Sequence, residues 1–183
     1  MPLQAAQFRV TGGSYYAHLF ENPSAGVSRA LYWSATVQFA AIDYLGESWE
    51  SSLTMEWLPL AARQFSGVHS ATSQLFPACE ASLYLAQHHR IHDWRCTLAW
   101  DGRSSACLFE FDVSLDFSGL DKDPVPGLHL AGTAELSFDG FIVVPDNLTP
   151  QPSGVEEATV LLSEYFDGAL VGTDEGWRYT FRP

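Results

Sequence analysis

A chain of 183 residues with 12 Phe, 7 Tyr and 6 Trp can bury enough surface to offset chain entropy, which excludes a disordered acidic tail. Its 22 Asp+Glu against 9 Lys+Arg give a net charge of −13, a field that repels phosphate backbones and argues against nucleic-acid binding. No apolar run of about 18 residues is present, so no membrane-spanning helix is expected, and the length fits a single domain over 1–183.

In chain order, Gly12-Gly13 separates Phe8-Arg9-Val10 from the run 15–20 and suggests a hairpin. Over 30–42, Leu31, Trp33, Ala35, Val37 and Phe39 share one phase, and the other phase is also fairly apolar. A strand covered on both sides is expected there. The turn Asp43-Tyr44-Leu45-Gly46-Glu47 returns it onto 49–57. There Trp49, Leu53, Met55 and Trp57 define a buried face, and Glu50, Thr54 and Glu56 a wet one. Residues 61–73 show no clear period. Over 75–92, Cys79, Leu83, Ala86 and Arg90 form one stripe after Pro77, and the spacing predicts a helix.

Period two returns with Trp94, Cys96, Leu98 and Trp100, which alternate with Arg95, Thr97 and Ala99. Asp101-Gly102 opens a turn. Cys107, Phe109, Phe111, Val113, Leu115 and Phe117 then mark a long strand whose other face carries Glu110, Asp112, Ser114 and Asp116. After a loop at 118–127, Leu128, Leu130, Ala134, Leu136 and Phe138 alternate with His129, Thr133, Glu135 and Ser137. Asp139-Gly140 fits a type I′ hairpin into 141–144. The capping box Ser153-Gly154-Val155-Glu156 opens a helix with Val155, Ala158, Leu162 and Phe166 on one stripe, stopped at Asp167-Gly168. Residues 177–181 close the chain as a strand. The expected fold is mainly β, with eight to ten strands, as an antiparallel β-sandwich or strongly bent sheet with one or two short helices; α+β is the alternative.

Cys79, Cys96 and Cys107 are odd in number and lack C-x-x-C spacing, so neither a disulfide framework nor a structural zinc site is expected. Free cysteines suit a reducing cytoplasm, and residues 1–7 show neither the basic nor the apolar region of a signal peptide.

His88-His89-Arg90-Ile91-His92-Asp93 is the most concentrated polar group. On a helix, His88 and His92 stand at i and i+4, a spacing that can present two imidazoles to one metal, with Asp93 completing the set. The glutamate of H-E-x-x-H is absent, and histidines at a helix end also serve as a solvated cap, so no metal or other cofactor is expected. There is no G-x-S-x-G elbow and no Gly-rich phosphate loop.

Charge is uneven: residues 101–183 hold 15 acidic and 4 basic side chains, a net of −11. Asp112, Asp116, Asp121, Asp123 and Glu135 are expected to gather on one face around the 118–127 loop and to form a partner surface. These features favour a non-catalytic acidic binding protein, such as an inhibitor or immunity-type protein covering a basic protein partner. The alternatives are a metal-dependent enzyme built on His88 and His92, and a small-ligand-binding β-domain using Tyr15, Tyr16, Tyr32 and Tyr44.

Overall fold

The computed structural model describes residues 3–44, 46–115 and 127–183. Among them, eleven strands and one α-helix form: β1 (Val10–Asn22), β2 (Val27–Tyr44), β3 (Glu47–Leu58), β4 (Ser66–Thr72), β5 (Glu80–Leu85), β6 (Gln87–Ile91), β7 (Asp93–Asp101), β8 (Cys107–Leu115), β9 (Leu128–Val143), α1 (Val155–Ser163), β10 (Val171–Asp174) and β11 (Tyr179–Arg182). The strands make one large curled sheet in the order β4-β7-β8-β9-β1-β2-β3-β5-β6, with β11 on the second half of β9 and β10 outside it. The fold is therefore mainly β and strongly bent, mixed rather than purely antiparallel, because β1 and β9 run parallel.

β9 ties the sheet together. Its first half pairs with β8 from Leu128 to Leu136, and its second half pairs with β1 from Ser137 to Val143. The crossover lies at Asp139-Gly140, which makes a bulge opposite Tyr15 and Tyr16 rather than the expected hairpin. Gly140 has φ +138°, and a Cβ there would sit 3.0 Å from the carbonyl oxygen of Phe181. Gly12-Gly13 likewise continues β1 instead of turning it. A Cβ at Gly13 would lie 2.2 Å from the Thr36 carbonyl oxygen and 2.5 Å from Leu136, so glycine permits the close approach of β1 to β2 and β9.

The helix expected over 75–92 is two strands. Ala81, Leu83 and Leu85 alternate inward, and Ala86 at φ +62° reverses the chain so that Leu85 pairs with Gln87. Period two governs this segment, and the helical spacing of Cys79, Leu83, Ala86 and Arg90 is coincidental. These two strands, with β4 from the aperiodic 61–73 region, raise the strand number above the expected range. The helix near 155 does form, with Ala158 and Leu162 buried. Gly154 takes the cap position instead of Ser153, and Glu157 rather than Glu156 accepts the Ser153 backbone N–H at 2.8 Å.

The interior is rich in aromatic rings. Tyr15, Trp33, Trp100, Phe65, Phe138, Phe141 and Phe166 contact one another at centroid separations of 4.5–6.5 Å. Trp33, Trp94 and Trp100 are core residues, as the alternation implies, but Trp49 and Trp57 are only partly buried. In β3, Leu53 and Met55 keep the inward phase. A register shift against β2 then brings Leu58 opposite Trp33, and Trp57 at φ +64° turns onto the other face.

Candidate functional site

The alternation of β7, β8 and β9 aims Arg95 and Thr97, Glu110, Asp112 and Ser114, and His129, Ala131, Thr133 and Glu135 away from the core. Register sets them in rows: Ser70, Thr97, Glu110 and Thr133 in one, Thr72, Arg95, Asp112 and Ala131 in the next, and Asp93, Ser114 and His129 in a third. Short Ser, Thr and Ala side chains leave two adjoining hollows between the longer ones. One is about 510 Å³ and is lined by Asp93, Ser114 and His129; the other is about 630 Å³ and is lined by Ser70, Thr97, Glu110 and Thr133. Thr72, Arg95 and Asp112 border both.

Asp112 is the centre of this face. Arg95 donates from Nε to Oδ2 at 3.0 Å and from Nη2 to the same oxygen, and His129 Nε2 lies 2.7 Å from Oδ1. The Arg95 guanidinium, and then His129, hold the Asp112 carboxyl below the usual carboxylate range. The carboxylate is 27% exposed while its two partners are 72% and 58% exposed, so the cluster is a solvated clamp rather than a buried ion pair. Asp93, Glu110 and Glu135 have no ion-pair partner among the described residues.

Of the partner-binding residues expected from the sequence, Asp112 and Glu135 share this outer face. Glu135 stands opposite Leu108 and four residues beyond the strand partner of Asp112, a separation of about 13 Å along the strand. Asp116, Asp121 and Asp123 lie outside the described residues. Arg95, His129 and Glu110 were not expected as site residues. Their signal was polar phase alone, which does not say which strands become neighbours.

The histidine group is redistributed. β6 is a strand, so the i, i+4 relation of His88 and His92 does not arise. His88 faces outward beside Thr54, Glu56, Glu80 and Arg90, whereas His89 is buried with Nε2 3.1 Å from the Leu85 carbonyl oxygen. His92 is exposed in the bend before β7, and Asp93 begins that strand. Among the described residues, no three His, Cys, Asp or Glu side chains are grouped to hold a metal ion. Burial pushes the thiols of Cys79, Cys96 and Cys107 up to about 11, 12 and 12, well away from a reactive thiolate.

No family model, no curated protein and no solved structure matches the chain.

The tyrosines also divide. Tyr15 and Tyr44 are buried, while Tyr16 and Tyr32 are half-buried. Tyr32 belongs to a second feature, a ring cluster on the outer side of β1, β2 and β3. Trp57 stands 5.0 Å from Phe20, 5.6 Å from His18 and 5.9 Å from Tyr32. Burial lowers the His18 imidazole to about 4, and its Nε2 has no hydrogen-bond partner among the described residues.

Proposed function

We propose that this chain is a non-catalytic acidic binding protein whose β7–β8–β9 outer face receives a basic protein partner, in the manner of an inhibitor or immunity-type protein. The observation that carries this reading is a sheet face on which Asp93 and Glu110 line hollows floored by short side chains and, like Glu135 on the same face, lack cation partners among the described residues. Lysine or arginine side chains can enter such hollows without displacing large groups. Asp112, already clamped, keeps its charge and orientation and contributes to the field. Long-range attraction from a chain of −13 speeds encounter with a basic surface and disfavours nucleic acid. Three free, buried cysteines suit a reducing cytoplasm as the place of action, and no described helix is long and apolar enough to cross a membrane.

A second reading, a small-ligand-binding β-domain, draws on the half-exposed rings of Phe20, Tyr32 and Trp57. The two readings separate in one experiment. Proteins captured from the native host by wild-type chain are compared with those captured by the Glu110→Gln/Glu135→Gln double variant, at low and high salt. The acidic-face reading requires a basic partner that is lost with the double variant and weakened by salt. A specific partner indifferent to both refutes it and directs attention to the ring cluster.

A further inference from the structure

We propose that β4 is an acceptor edge, onto which an extended, lysine- or arginine-bearing segment of the partner adds as a further strand. This rests on the acidic-face reading and specifies how the partner is held. Among the described residues β4 pairs with β7 on one side only, in seven consecutive register pairs without a shift. The next pair in that register is Ser73 and Trp94, and the Ser73 N–H donates to the Trp94 carbonyl at 2.9 Å. Hydrogen-bonded and non-bonded pairs alternate along an antiparallel ladder. Ala71 and His69 therefore turn their backbone groups to β7, while Thr72, Ser70 and Val68 turn theirs to the free side. The Thr72 carbonyl is used by Phe76 N–H at 3.0 Å. That leaves the Thr72 N–H and both backbone groups of Ser70 and Val68 without partners among the described residues.

Natural edges are defended by charge, proline, a bulge or brevity. β4, Ser66-Gly67-Val68-His69-Ser70-Ala71-Thr72, has no Asp, Glu, Lys, Arg or proline and no register shift; its one irregularity is Gly67 at φ +84°, near its start, and Val68 beyond it is 70% exposed. The other described edges differ. β6 carries Arg90 and two histidines and folds back near β8, and β10 is four residues long and ends in Asp174.

Charge selects the occupant. Ser70 and Thr72 line the same hollow as Glu110 and Asp112. Ser70, Thr97 and Glu110 form one transverse row, so only two short side chains separate the edge from an unpaired carboxylate. A long cationic side chain on an added strand lies over them toward Glu110. Arg95, in the adjoining row, is engaged by Asp112. A second copy of the chain is a poorer occupant, because pairing two β4 edges would set two acidic faces side by side on chains of −13 each.

The test uses the full chain and three ten-residue probes: an alternating Lys-Val peptide, the same peptide N-methylated along one edge, and an alternating Glu-Val peptide. Binding is followed by fluorescence anisotropy, and amide exchange at Val68 and Ser70 by NMR. The Lys-Val peptide should bind, slow exchange at both amides and weaken with salt, while the other two should not bind. Ser70→Pro removes an N–H that β7 does not use, and should lower affinity about tenfold or more. If that variant does not fold, the N-methylated probe makes the same distinction on the wild-type chain. Lys-Val binding with unprotected Val68 and Ser70 amides, and no loss on N-methylation, would overturn strand addition yet leave the acidic-face reading standing. Equal binding of Glu-Val would overturn the choice of a basic segment. Absence of Lys-Val binding, with or without a sedimenting dimer that Ser70→Pro dissociates, would overturn the proposal as a whole. In that event a native basic partner still lost on Glu110→Gln/Glu135→Gln would keep the broader reading.

Discussion

Trp100 donates its indole N–H to the hydroxyl of Tyr15 at 2.7 Å, joining β7 to β1 across the interior, and the same hydroxyl donates onward to the Ser105 carbonyl. Burial holds the Tyr15 phenol well above its ordinary range, so it remains a neutral donor and acceptor. Tyr15→Phe preserves the ring contacts but orphans the Trp100 N–H. A loss of about 1–3 kcal/mol is expected from urea unfolding. The double variant Tyr15→Phe/Trp100→Phe should lose less than the sum of the two single changes.

The clamp on Asp112 should contribute little to stability. Arg95 and His129 are largely exposed, and pairs of this kind are worth about 0–1 kcal/mol. The Asp112 carboxyl is lowered in the folded state, so its contribution is full above the unfolded carboxylate value and is lost as pH falls through the lowered folded one. The stability gap between wild type and Asp112→Asn should thus be constant near neutrality and close below the ordinary value of 3.8. Urea titrations across pH check this.

His18 also loses its contribution on acidification, but the loss begins at a higher pH. Its imidazole is lowered from 6.5 to about 4 by burial against Phe20 and Trp57. The unfolded chain binds the proton more readily, so the stability owed to neutral His18 is complete above 6.5 and declines as pH falls toward 4. A decline on the order of 3 kcal/mol is expected, and His18→Phe should remove it. An NMR titration of the His18 ring gives the folded value directly.

Gly13→Ala should be costly although both residues are small. The new methyl would meet the Thr36 carbonyl oxygen at 2.2 Å, and that atom belongs to the backbone of a central strand. A destabilisation of about 1–3 kcal/mol is expected by thermal or urea unfolding. Gly26→Ala probes backbone strain alone, because a Cβ at Gly26 meets nothing within 4 Å.

Much of the sheet was legible where apolar alternation was unopposed. The inward residues of β7 and β8, from Trp94 to Trp100 and from Cys107 to Leu115, match the predicted phase. Legibility failed where one dipeptide serves several backbones. Asp101-Gly102 makes the expected turn, with Asp101 Oδ1 accepting the Arg103 N–H at 2.8 Å. Asp139-Gly140 instead makes a bulge in the middle of β9, and Asp167-Gly168 follows a helix, with Asp167 bonded to Arg63. Local turn chemistry permits all three, and the surrounding strands choose among them.

Amino-acid order alone determined the face each strand residue occupies in β7, β8 and most of β9, because period two is a property of the backbone and the apolar phase must leave water. It also determined that Glu110, Asp112 and Glu135 would stand on the polar phase. Only the tertiary structure decided that Asp112 is clamped by Arg95 from one neighbouring strand and His129 from the other, and that β4 ends the sheet with the backbone groups of Val68 and Ser70 unpaired among the described residues. Those facts depend on strand order and register. They are set by how the whole aromatic interior packs, and no local pattern encodes them.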